Sequence, residues 1–144
     1  MVMQGGKYDR LSDLNCFWAA NDPKYPDDLF ARSQWRDGIF KNYVGYGGND
    51  NSTTRFRRYK GEYYGVADDK VKPLLKEYTD APHLLVPNQW YEIRIRVEKG
   101  ITTYSVNDPE LFRYTLAGGE GDGHFGLRLL QNHVLFTDFK ATIL

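Results

Sequence analysis

Residues 90–98 constrain the fold of this chain most strongly, because apolar and charged side chains alternate strictly along them. The apolar positions are Tyr91, Ile93, Ile95 and Val97, and the charged positions are Glu92, Arg94, Arg96 and Glu98. A period of two residues is typical of a β-strand that buries one face. A Lys99-Gly100 turn follows, so we expect Ile101–Val106 to pair back as a hairpin.

Short segments with strand character recur about every ten residues, a spacing typical of an antiparallel sandwich or barrel. Besides 90–98 and Ile101–Val106, the predicted strands are 14–20, 39–46, Thr53–Tyr59, Glu110–Thr115, 124–130 and 133–143. A short helix interrupted by Pro73 is predicted over 68–78. We therefore predict an all-β fold, an antiparallel β-sandwich, with residues 1–144 as a single domain.

Charge and cysteine content exclude several classes of protein. The 19 Lys and Arg residues balance 19 Asp and Glu residues, whereas a nucleic-acid binder usually has a basic excess, so we expect no nucleic-acid partner. No apolar run approaches the length of a transmembrane helix. The single cysteine, Cys16, excludes an intrachain disulfide and a cysteine-based zinc site. The aromatic fraction of 15% suits a sandwich core and a flat sugar ligand equally well.

The segment Thr53–Tyr59 carries the strongest functional pattern. As a strand it points Phe56 to the core and directs Arg55, Arg57 and Tyr59 to the opposite face. Neighbouring like charges repel, and arginine suits bidentate recognition of a carboxylate or sulfate. Two interpretations stay open at this point: an anion-binding face, or a solvated face whose arginines pair with nearby acids.

A second polar group precedes and enters the strand predicted over 14–20. Asp13, Asn15 and Phe17 share one face of it, where the Asp and Asn would make directional contacts to a sugar or carboxylate. The alternative is that Asp9 and Asp13 accept hydrogen bonds from turn amides.

The sequence contains no ligand spacing typical of a metal site. Its histidines are His83, His124 and His133, and the last is a candidate for proton transfer near neutral pH, although a lone histidine is more often structural. The six Glu residues form no glycosidase-type carboxylate pattern. We expect no cofactor; a structural calcium ion at Asp50 with Asn51, or at Asp68 with Asp69, is a weakly supported alternative.

Several segments together resemble a known group of domains. Gly-His-Phe-Gly-Leu-Arg at 123–128, Gln-Asn-His at 131–133, and the stretches 90–94, 104–107 and 134–139 resemble the closing strands of concanavalin A-like sandwich domains. That group includes 3-keto-disaccharide hydrolase domains. The front half, through 5–10, 15–18, 36–38 and 45–48, is similar to uncharacterised carbohydrate-active domains of polysaccharide-degrading bacteria.

This resemblance implies a concanavalin A-like jelly roll, a poly- or oligosaccharide partner, and a periplasmic or secreted location. Relative to that pattern the chain lacks N-terminal strands and is short around 41–45, so we expect the sandwich to be incomplete at these points. The aromatic residues expected to face a sugar are Tyr8, Trp18, Tyr46 and Tyr59, with Arg128 as a further binding residue.

Three functions remain open on these grounds. In the first, an enzyme cleaves an acidic, uronate-containing polysaccharide by β-elimination: Arg55, Arg57 and Asn15 stabilise the enolate, and Tyr59 or His133 transfers the proton. In the second, a glycoside hydrolase of the keto-sugar type uses Asp13 as acid–base group. The third is a non-catalytic carbohydrate-binding module.

Overall fold

The computed structural model describes residues 1–31, 38–118 and 120–143. Arg36 and Asp37, part of the front-half pattern above, lie outside the described residues. Within these ranges the strands are β1 Val2–Met3, β2 Leu14–Asn21, β3 Phe40–Gly47, β4 Thr53–Tyr59, β5 Leu74–Tyr78, β6 Ile93–Glu98, β7 Ile101–Val106, β8 Glu110–Thr115, β9 His124–Arg128 and β10 His133–Val134. The helical segments among them are single turns at Gly48–Asn51, Gly61–Tyr63, Asp68–Lys70 and Ala81–His83. No helix in the described ranges is long and apolar enough to cross a membrane.

The strands form antiparallel sheets, which confirms the predicted all-β sandwich. In the described part of the chain a five-stranded sheet has the order β5-β4-β3-β2-β9, a three-stranded sheet the order β6-β7-β8, and β1 pairs with β10. Strands β4, β7 and β8 have the predicted bounds.

The main core lies between the five-stranded and three-stranded sheets. Because side chains alternate along a strand, β2, β3 and β4 each send every second residue inward. The Trp18 ring stacks on Phe56 and on Tyr104, with ring centroids 5.9 and 6.1 Å apart. Its indole Nε1 donates a hydrogen bond of 2.8 Å to Thr102 Oγ1 across the interface. This contact satisfies the polar atom of a buried tryptophan and joins the two sheets.

The side of the five-stranded sheet that faces away from this core is called the outer face below. One end of it is covered by a smaller apolar cluster, which consists of Phe17, Ala20, Leu29, Ile39, Tyr43 and Tyr59. Leu29 and Ile39 come from the connection between β2 and β3, so this connection folds over part of the sheet.

Two predicted elements are wrong. The helix expected over 68–78 is a single 3₁₀ turn, Asp68–Lys70, followed by strand β5. Pairing of β5 with the edge of β4, with Arg55 opposite Glu77, outweighs local helix propensity. The strand expected over 133–143 ends at Val134, because its partner β1 is only two residues long.

Candidate functional site

The register of the five-stranded sheet brings four of the predicted binding residues to the outer face. Asn15 on β2 lies opposite Gly45 on β3 and, on its other side, opposite Arg128 on β9. Gly45 in turn lies opposite Arg55 on β4, and Arg57 follows one pleat further along the same strand. Directly opposed side chains in a sheet lie about 4.5–5.5 Å apart at Cβ, so these residues form one continuous surface.

Gly45 lies buried in the middle of this row and has no side chain between Asn15 and Arg55. A Cβ atom added there would lie 3.4 Å from Asn15 Oδ1 and 3.5 Å from Cε1 of Tyr43. Every other residue in its row carries a side chain.

Asn15 is held in one orientation by the start of β2. Its Nδ2 donates to Asp13 Oδ1 over 3.1 Å. The carboxylate of Asp13 also accepts hydrogen bonds from Arg10 Nη1 and Ser12 Oγ. Asn132 Nδ2 donates to the Asp13 carbonyl at 3.1 Å and so ties the loop before β10 to this junction. The Asp13 carboxylate thus serves to position Asn15.

The three arginines of the outer face differ in their partners. Arg55 forms an ion pair with Glu77, in agreement with the solvated-face interpretation. Arg57 Nη1 donates to the Lys72 carbonyl at 2.6 Å, and Arg128 Nη1 donates to Tyr43 Oη at 3.1 Å. Among the residues that the structure describes, neither Arg57 nor Arg128 has a carboxylate partner.

Tyr43 is the polar outer-face residue that the sequence pattern did not single out. Its hydroxyl accepts the hydrogen bond from Arg128, and its backbone lies opposite Arg57. Burial raises the pKa of Tyr43, and the charge and hydrogen bond of Arg128 oppose that rise. Parity within the predicted strand 39–46 places Tyr43 on the same face as Gly45, but only the register shows which arginines are its neighbours.

Comparison with known proteins identifies the family. A family model described as a domain of unknown function, DUF6250, matches residues 1–139. The chain belongs to the DUF6250 family. No curated protein and no solved structure matches it.

Two predicted sugar-facing aromatic residues of this DUF6250 chain lie in the main core instead. Trp18 is 4% exposed and Tyr46 is 2% exposed, and both pack between the sheets. Trp18 is one residue out of phase with Asn15 and Phe17, so it must point to the opposite side of β2. The expectation that Trp18 and Tyr46 contact a sugar is therefore wrong.

Tyr59 lies on the outer face as expected, but it is only 6% exposed. Its ring packs edge-on against Tyr43, and Lys41 Nζ lies 4.2 Å from its centre. It belongs to the smaller apolar cluster, as Tyr43 does, so the role of Tyr59 as a proton donor stays a prediction.

The remaining predicted residues, His133 and Tyr8, belong to other parts of the fold than the five-stranded sheet. His133 is on β10, and its Nδ1 lies 3.3 Å from Asp9 Oδ1. Tyr8 is exposed and lines an open depression with Lys7, Asp9, Arg10 and Gln131. The structure thus places Asn15, Arg55, Arg57 and Arg128 on one five-stranded sheet and His133 on the separate β1-β10 pair.

The residues that the sequence suggested as calcium ligands form hydrogen bonds within the protein instead. Asp50 Oδ1 accepts a 2.6 Å hydrogen bond from Arg10 Nε. Asn51 uses both ends of its amide on the backbone of Leu85. Asp68 Oδ1 accepts from the Gly65 amide at 2.9 Å. Over the described ranges no group of three His, Cys, Asp or Glu side chains could hold a metal ion.

Proposed function

We propose that this DUF6250 domain binds an acidic, uronate-containing saccharide on the outer face of its five-stranded sheet. The observation that supports this most is the pair Arg57 and Arg128, which lie on one face and lack a carboxylate partner among the described residues. A guanidinium in this state can form charge-assisted hydrogen bonds to a ligand carboxylate.

No described acid forms an ion pair with either arginine, although Asp27 and Asp28 line a pocket with Arg128. Glu77 pairs with Arg55, and the Asp13 carboxylate is paired with Arg10. A hydrogen bond to a charged group contributes about 1.5–3 kcal/mol, which corresponds to roughly 10- to 150-fold in affinity. Each arginine is expected to contribute within that range.

The absence of Trp18 and Tyr46 from this face favours recognition through charge over recognition of a neutral sugar by stacking. Neutral saccharides are usually held against exposed aromatic rings. Tyr43 and Phe17 are buried in the smaller cluster, which leaves the exposed Phe30, beside Arg128 in one pocket, as a ring that a sugar could reach.

A second candidate function is β-elimination at the bound uronate, and the contact between Tyr43 and Arg128 favours it. As a tyrosinate, Tyr43 would take the proton from the carbon next to the carboxylate. The electron pair left behind forms a carbon–carbon double bond as the bond to the glycosidic oxygen breaks, and Tyr43 returns the proton to that oxygen. Arg128, which contacts Tyr43, would hold the carboxylate while charge develops on it.

This assignment prefers Tyr43, which is 8% exposed, to Tyr59, which is 6% exposed, because the Tyr43 hydroxyl contacts Arg128. His133 lies on β10, outside the five-stranded sheet. The assignment to Tyr43 also ranks above hydrolysis with Asp13 as acid–base group, because the Asp13 carboxylate already accepts hydrogen bonds from three donors. Since burial raises the pKa of Tyr43, the tyrosinate fraction grows only at alkaline pH, and elimination should accelerate there.

Calorimetric titration with two matched ligands tests the binding proposal. An oligogalacturonate should bind, and its methyl ester, which has the same skeleton without charge, should bind far more weakly. Arg57→Gln and Arg128→Gln should each weaken binding of the acid about 10- to 150-fold. Arg94→Gln is the control, because Arg94 is on β6, exposed and paired with Glu92. Equal binding of acid and ester, or unchanged affinity in both outer-face variants, would contradict the proposal.

Ultraviolet absorbance of the unsaturated uronate product tests elimination separately. Tyr43→Phe should abolish product formation and retain binding of the acid. A wild-type protein that binds the acidic saccharides but yields no product from any of them is a binding module.

A further inference from the structure

Asn15 carries a buried hydrogen-bond acceptor that none of the described residues uses. The side chain is 3% exposed, and its Oδ1 has no hydrogen-bond partner within the described structure. Buried polar atoms are nearly always paired with protein, water or ligand. This acceptor lies on the surface that carries Arg57 and Arg128.

The chemistry of its neighbours determines which end of the amide is free. Nδ2 lies 3.1 Å from Asp13 Oδ1. A carboxylate paired with an arginine only accepts hydrogen bonds, so the amide nitrogen must face Asp13. The oxygen must therefore face Gly45, where an added Cβ would lie 3.4 Å from it.

This arrangement constrains the ligand beyond its charge. An ionised carboxylate or a sulfate has no hydrogen to donate, and its oxygen would repel Asn15 Oδ1. A sugar hydroxyl donates a hydrogen bond, and position 45 has no side chain that competes for the place beside Asn15 Oδ1. The outer face thus combines cationic groups for an acid with one neutral acceptor for a hydroxyl.

We propose that Asn15 is a specificity-determining residue that accepts a hydrogen bond from a free hydroxyl of the saccharide above Gly45. This rests on the proposed function, in which Arg57 and Arg128 hold carboxylates of the same saccharide. The ligand class is a uronate with unmodified hydroxyls. An O-acetylated uronate lacks the donor and has a bulkier group in its place.

Titration with unmodified and O-acetylated oligogalacturonate tests this inference. Wild-type protein should prefer the unmodified form by about tenfold, the contribution of one well-placed hydrogen bond. Asn15→Ala should lower affinity for the unmodified form about tenfold and leave the acetylated form unchanged.

Gly45→Ala provides an independent variant, because its Cβ would meet its neighbours at ordinary contact distances and cover the Asn15 oxygen. Gly45→Ala should bring the ratio of affinities for the unmodified and acetylated forms to about one. Gly118→Ala is the matched control, since an added Cβ there meets none of the described atoms within 4 Å. This control should keep the tenfold preference.

The outcomes separate this inference from the binding proposal. If wild-type protein binds both forms equally while Arg57→Gln still weakens binding, water occupies the acceptor and the inference is overturned while acid binding stands. If Asn15→Ala and Gly45→Ala retain the preference, another residue provides it and the inference is also overturned. If no acidic saccharide binds at all, both proposals fail.

Discussion

Arg58 is a buried cation whose effect on stability can be predicted with a definite sign. It is 1% exposed on the inner side of β4, and its Nε and Nη1 have no hydrogen-bond partner in the described structure. Its ion-pair partner is Glu120, whose Oε1 lies 3.6 Å from Nε. Burial lowers the pKa of Arg58, and the Glu120 charge opposes that shift.

The attraction between Arg58 and Glu120 and the cost of burying the Arg58 guanidinium nearly cancel. At 3.6 Å and an effective dielectric constant of about 20, Coulomb attraction amounts to roughly 4–5 kcal/mol. Burying a guanidinium costs several kcal/mol. Arg58→Met removes both contributions, so we expect the free energy of unfolding to rise, or to change by less than about 1 kcal/mol. Glu120→Gln leaves the buried charge uncompensated, and we expect a loss of about 2–4 kcal/mol, reduced because Glu120 is partly exposed.

Urea denaturation at neutral pH measures both changes. The control pair is Arg113→Met and Glu110→Gln, whose exposed ion pair should contribute less than about 1 kcal/mol. A loss of more than about 3 kcal/mol in Arg58→Met would refute the reasoning, because it would show that the buried cation is strongly stabilising. Wild-type stability in Glu120→Gln would show that Glu120 does not compensate Arg58.

Three further predictions concern buried groups. Burial raises the pKa of the Cys16 thiol to about 12, so a thiol reagent at pH 8 should modify the protein only in denaturant; modification of the native state at the unfolded rate would contradict this. Burial also raises the pKa of Tyr46 to about 12 and that of Tyr104 well above its ordinary value. A tyrosine in the unfolded chain has a pKa of about 10. The two neutral hydroxyls therefore stabilise the fold fully below pH 10, and this contribution is lost as pH rises towards 12. A urea midpoint that stays constant over that range would be inconsistent with this prediction. Asn51→Ala removes two hydrogen bonds to the Leu85 backbone and should cost about 1–3 kcal/mol in denaturation, whereas a change below about 0.5 kcal/mol would show these bonds to be unimportant.

Much of the outer face is predictable from local alternation. Parity alone places Asn15 with Phe17, and Arg55 with Arg57, on one side of their strands, and the structure agrees. The same parity argues against Trp18 as a sugar-facing residue, because it is out of phase with Asn15.

The rest depends on long-range contacts that no single segment encodes. The positions of Tyr43, Arg57 and Arg128 relative to one another depend on the register of four strands, β4-β3-β2-β9, of which β9 is far from the others in sequence. The burial of Tyr59 depends on the connection between β2 and β3, which adds Leu29 and Ile39 to its cluster. Neither feature has a local sequence pattern.

A crystal structure of the protein with an oligogalacturonate tests the central claim most directly. The proposal predicts the saccharide on the outer face, with its carboxylate within hydrogen-bond distance of Arg57 or Arg128 and a hydroxyl at Asn15 Oδ1 above Gly45. A saccharide that binds elsewhere, such as the depression beside Tyr8, with the outer face unoccupied, would contradict it.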